Sequence, residues 1–99
     1  MSQLNIAQIT KVIAYETITV ADTAIGFTTA TYDNANTAFM TLETAQIRFR
    51  VDGTNPISTE GHILDIGQTL EIEGKDNLTN FKAIRTGAVS GVLKISYER

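Results

Sequence analysis

The sequence predicts an all-β fold: a single-domain antiparallel β-sandwich, immunoglobulin-like or jelly-roll-like, of about seven to eight short strands. Three observations predict it. The composition favours strands, with fifteen threonines, frequent Ile and Val, seven glycines and one proline in 99 residues. Apolar residues alternate over short stretches, and none holds a 3.6-residue period long enough for a helix. Turn residues recur about every eight to twelve positions. Residues 10–99 therefore read as one sandwich domain, and residues 1–9 as an N-terminal arm or edge segment.

The elements follow in order. Lys11 to Val20 is the first strand, with Ile13 and Tyr15 on one face before the apolar phase shifts by one residue to Ile18 and Val20. Such a shift predicts a bulge or bend near Glu16-Thr17. Asp22 to Asn36, rich in Thr, Ala, Asp and Asn, predicts a short strand around Ile25 to Tyr32 between loops. Thr37 to Glu43 is a strand with Ala38, Met40 and Leu42 on one face and Phe39 on the other. After the short link Thr44-Ala45 comes the clearest strand, Gln46 to Val51, expected to be its hairpin partner. Here Ile47, Phe49 and Val51 oppose Gln46, Arg48 and Arg50, so one side suits a core and the other water.

Asp52-Gly53-Thr54-Asn55-Pro56 ends that strand, because Gly53 admits a positive φ, Asp52 and Thr54 can bond their own backbone, and Pro56 lacks a donor. Ile57 to Gly61 is a polar loop, His62 to Asp65 a short strand and Ile66-Gly67-Gln68 a turn. Thr69 to Glu73 alternates with Leu70 and Ile72 inward, and Gly74 to Asn77 reads as a turn. Asn80 to Arg85 carries Phe81, Ala83 and Ile84 in mixed phase. Thr86-Gly87-Ala88 reverses the chain before Val92 to Tyr97, where Leu93, Ile95 and Tyr97 share a face.

Composition narrows the function classes. A chain of this size buries about two-thirds of its unfolded surface, enough for one core. Without cysteine there are no disulfides, thiolate metal sites or cysteine nucleophiles. A net charge of −3, with the charges dispersed, provides no footprint for nucleic acid or anionic lipid. Apolar runs are short, and the first residues lack a charged and then apolar leader, so a soluble chain with no export signal is expected.

Chemistry-bearing residues are sparse. His62 is the only histidine, with no nucleophile elbow near it, and reads as a strand-end polar residue. Asp52 and Asn55, and Asp33 and Asn36, are oxygen ligands in loops, but they lack the alternating carboxylates of a calcium loop and read as turn formers. Glu71 and Glu73, two apart on one strand face, read as a solvated face able to pair with Arg48, Arg50, Lys82 or Arg85 on neighbouring strands. No catalytic residue, cofactor site or metal site is expected. A sugar-binding sandwich needs an exposed aromatic platform; with no tryptophan, and with Tyr15 and Tyr97 suited to core or rim, Tyr32 is the candidate. Phe39 and the arm from Ser2 to Ile9, with Leu4 and Ile6, are the other candidate contact residues, because an apolar side chain on a polar face is better explained by a partner than by water.

Two resemblances meet on the central strand. Thr23-Ala24-Ile25-Gly26-Phe27, the run from Glu43 to Pro56, Gly61-His62 and Asn80-Phe81-Lys82-Ala83-Ile84-Arg85 resemble small proteins encoded among the structural genes of tailed bacteriophages, which are taken to be minor virion components. More locally, Ile47 to Pro56 and Phe81-Lys82-Ala83-Ile84 are similar to the immunoglobulin-like accessory domain at the C-terminus of chitobiases and related hexosaminidases, in which the Asp-Gly turn and the later strand are scaffold. Both resemblances imply a non-catalytic sandwich, and the first a virion protein made in the host cytoplasm. It would be a capsid cement or decoration protein bound to the major capsid protein, or a neck, tail or fibre accessory, and a homo-oligomer such as a trimer. A carbohydrate-binding module is the alternative outside the virion.

Overall fold

The computed structural model describes residues 11–99. Seven strands and two short helices follow one another: β1 (Val12–Val20), α1 (Thr29–Tyr32), β2 (Thr37–Glu43), β3 (Ile47–Arg50), β4 (His62–Leu64), β5 (Thr69–Glu73), α2 (Lys75–Asn80), β6 (Lys82–Arg85) and β7 (Gly91–Glu98). They form two antiparallel sheets, one of four strands in the order β1-β7-β2-β5 and one of three in the order β4-β3-β6. The all-β sandwich is thus the fold. The division into four and three is that of a constant-type immunoglobulin sandwich, but β7 lies between β1 and β2 instead of beside β6.

Alternation decides which side of each strand is buried. Ala38, Met40 and Leu42 of β2 face Leu93, Ile95 and Tyr97 of β7 across the ladder, and all six are essentially inaccessible. Ile18, Val20 and Ile72 extend this layer, and Ile47, Leu64 and Ala83 close it from the smaller sheet. Aromatic rings form one connected cluster with this core. Phe27 stacks on Phe81 at 4.3 Å between centroids, Phe49 lies 5.9 Å beyond, and Tyr97 meets Phe27 edge-on at 5.5 Å.

Local structure departs from the sequence expectations at five places. The bulge of β1 lies between Val12 and Ala14, not near Glu16-Thr17. No second shift is needed, because Ala14, Glu16, Ile18 and Val20 all face inward and Glu16 is the polar member of that row. Its carboxylate accepts the Tyr97 hydroxyl at 2.5 Å, the Thr28 hydroxyl at 2.6 Å and the Thr28 backbone N–H at 3.1 Å. No strand runs from Ile25 to Tyr32. Ile25 exchanges two backbone hydrogen bonds with Ala83 beside β6, and the chain then coils into α1.

The expected β2–β3 hairpin is also not formed, since the two strands belong to different sheets. Thr44 takes φ +81° while the Ala45 N–H bonds the Glu43 carbonyl at 3.0 Å, a tight three-residue turn that sends the chain across the sandwich. β3 pairs instead with β4 and β6. Gly74 to Asn77 is not a simple turn, because Gly74 at φ +97° leads into α2, whose one buried residue is Leu78. Asn80 ends that helix rather than beginning a strand, which brings Phe81 and Ala83 into one inward phase.

Candidate contact surface

The outer face of the four-stranded sheet is built from the alternate residues that the core does not use. Across it, Tyr15, Ser96, Phe39 and Glu71 form one row, and Thr17, Lys94, Thr41 and Thr69 the next. Tyr15 is 59% and Phe39 40% exposed, flanking the small Ser96 on the strand between them. Two strand spacings separate the aromatic residues, about 10 Å. Ile13 and Val12 continue the apolar edge along β1. Charge on this face is mostly negative, with Glu43, Glu71, Glu73 and Glu98 against Lys94, whose ammonium bonds the Thr17 hydroxyl at 3.4 Å.

The outer face of the three-stranded sheet has the opposite character. Ile63, Arg48 and Ile84 make one row, and Arg50 and Lys82 pair in the next. Arg48 donates to the Ser58 carbonyl at 3.0 Å and the Gly61 carbonyl at 2.7 Å, which pins the loop between β3 and β4. Arg50 holds Asp52 in a bidentate ion pair. That pairing, with the Thr54 N–H, keeps the Asp52 carboxyl below the ordinary carboxylate range.

The structure places the sequence candidates unevenly. Phe39 is outward and exposed. Tyr32 is buried, so it is not a platform for sugar: α1 turns its ring onto Phe27 and Tyr97, and its hydroxyl meets Thr79 at 3.4 Å. Leu4 and Ile6 lie outside the described residues, as does the whole 1–9 arm. Tyr15, which sequence reasoning put at core or rim, reaches solvent beside Phe39, while Tyr97 is fully buried. The signal is the phase difference between Tyr15 and the pair Ile18 and Val20, which reads as a bulge in the sequence and instead marks Tyr15 as outward. Burial pushes the Tyr97 phenol up, and its bond to the Glu16 carboxylate adds to this.

Glu71 and Glu73 do share an exposed face, but the pairs open to them with Arg48, Arg50, Lys82 and Arg85 are not made among the described residues. Those cations lie on the other sheet, and Arg85 bonds Ser90 and lies 4.0 Å from Asp22. His62 starts β4 with its ring 5.4 Å from Phe49 and exposed. Asp33 and Asn36 sit by α1 and Asp52 and Asn55 after β3, apart from one another. Among the described residues no three His, Asp or Glu side chains gather to hold a metal. An open hollow of about 610 Å³ between the start of β1, α1 and Arg99 is lined by Lys11, Thr31 and Asn34 with small apolar groups, and no base faces a nucleophile there. No helix among the described residues is long and apolar enough to cross a membrane.

Compared with protein-family models, curated proteins and solved structures, the chain matches none.

Proposed function

We propose that the chain is a non-catalytic structural protein of a tailed-phage virion, a capsid cement or decoration protein that uses the outer face of the four-stranded sheet as its contact surface. The observation that carries the reading is the row Tyr15–Ser96–Phe39, an aromatic pair held outward on a sheet face whose inward side is already packed in the core. An open face of this kind suits protein contact, in which each copy contributes little and repetition over a particle supplies the strength. The resemblance of the Glu43 to Pro56 and Asn80 to Arg85 segments to phage structural-gene products names the setting.

Its neighbours would be the major capsid protein, other virion proteins and further copies of itself, with a closed homo-oligomer such as a trimer suited to a local symmetry axis. A neck, tail or fibre position uses the same surface and differs in copy number. The glycan-binding alternative loses the residue that supported it, because Tyr32 is packed inside. The experiment that tests the reading is the copy number of the chain in purified particles.

A further inference from the structure

We infer that the outer face of the four-stranded sheet docks on the outer face of the three-stranded sheet of a second copy, so that copies associate head to tail. The inference rests on the proposed contact surface and gives it a second copy as occupant, which leaves that face to the shell only on the end copy of a stack. It starts from charges that find no counterpart across their own sheet. Glu71 and Glu73 project from one side of the sandwich and Lys82 from the other, and none of the three makes an ion pair among the described residues. Away from the β1/β7 end, where Lys11 and Arg99 lie, the acidic face carries Glu43, Glu71 and Glu73 against the Lys94 ammonium. The other carries Arg48, Arg50 and Lys82, offset in part by Asp52 and Glu60 beside Arg50.

Apolar groups match as well as charges. Phe39 and Tyr15 stand out of the acidic face, and Ile63, 47% exposed, stands beside Arg48 on the basic one. Ile57, 57% exposed, borders the same hollow as Ile84. A face meeting a different face is a heterologous contact, which grows into a ring or an open stack instead of stopping at a two-fold dimer. Four strands of about seven residues offer a footprint of roughly 19 by 23 Å. That is about half of the ~800 Å² per partner usual for a stable complex, so the single contact is weak and salt-sensitive.

The test is sedimentation of the purified chain up to millimolar concentration, at low and high salt. Mass should rise with concentration at low salt and fall back toward the 10.8 kDa monomer at high salt. Two variants then separate the faces: Phe39→Ser with Glu71→Gln on the acidic face, and Ile63→Ser with Lys82→Glu on the basic one. Each alone should stay monomeric, and a one-to-one mixture should restore a species of about twice the monomer mass and no larger, because one intact face of each kind remains. Circular dichroism and melting confirm folding, and Ile63→Ser alone replaces the second variant if the charge reversal unfolds it. A wild-type chain that is monomeric throughout overturns the inference, as does a mixture that stays monomeric. A monomer that is nevertheless abundant in particles overturns the stack and leaves the virion role standing; stacking by a chain absent from particles does the reverse.

Discussion

Replacing Gly91 by alanine tests the packing that joins the two sheets. Gly91 opens β7 directly under the β2–β3 crossover, and its backbone is not in the left-handed region, so φ alone would admit any side chain. Space would not. A Cβ there would lie 2.6 Å from Ile47 Cγ2, 2.7 Å from the Ala45 carbonyl oxygen and 3.2 Å from Leu42 Cδ1. The first two are below any distance that real Cβ atoms keep, Ile47 and Leu42 are fully buried, and the carbonyl belongs to the strained turn at Thr44. Relief requires β7 to move away from β2 or Ile47 to leave its rotamer. Overpacking of this kind costs about 1–3 kcal/mol, and the backbone clash puts Gly91→Ala near ~3 kcal/mol. The entropy gained by replacing glycine returns less than ~1 kcal/mol. With a net cost of about 2–3 kcal/mol and an unfolding entropy of about 2.1 cal/mol/K per residue, a 99-residue chain should lose about 10–14 °C in melting temperature. Calorimetry or thermal circular dichroism reads this directly. Gly87→Ala is the control, since nothing lies within 4 Å of its Cβ position and its φ is ordinary; it should melt at or slightly above wild type. A Gly91→Ala protein as stable as Gly87→Ala would refute the packing described for the crossover.

Two further outcomes follow from single residues. Thr44, a β-branched residue at φ +81°, stores strain of about 1–3 kcal/mol. Glycine would release it at an entropic cost of about 0.5–1 kcal/mol, so Thr44→Gly should melt about 5 °C higher, and a lower melting temperature would count against the strained turn. Tyr97 has its phenol pKa raised in the folded chain, so its contribution is complete below the ordinary phenol value near 10 and declines as pH climbs above it, where only the unfolded chain ionises. Denaturant unfolding between about pH 9 and pH 11 should show Tyr97→Phe losing stability more slowly than wild type, by about 1.4 kcal/mol per unit once above pH 10. Parallel slopes would show that the Tyr97 hydroxyl reaches water.

The strands were legible where alternation was undisturbed. β2, β5 and β7 read directly from Ala38-Met40-Leu42, Leu70-Ile72 and Leu93-Ile95-Tyr97, and β3 from Ile47 and Phe49. What stayed hidden depended on contacts distant in sequence. Glu16 disguised the inward row of β1, because the groups that satisfy it are Thr28, twelve residues away, and Tyr97, eighty-one away. The assignment of β2 and β3 to different sheets turns on the backbone of Thr44, a residue type that gives no hint of positive φ. α2 has one buried apolar residue, Leu78, too few to show a period. The contact surface was half legible. Phe39 stood out as apolar on a polar face, whereas its pairing with Tyr15 needed the β1-β7-β2 order. Tyr32 misled because its neighbours in sequence are polar and its neighbours in space are aromatic rings.

The proposed virion role is tested most directly by the copy number of the chain in gradient-purified particles of a tailed phage carrying its gene, measured by quantitative mass spectrometry against the major capsid protein. A shell-bound cement or decoration protein predicts a number on the order of hundreds per particle, because it repeats with the lattice. About a dozen or fewer would move it to the neck, tail or fibres, and its absence from particles would contradict the virion role altogether.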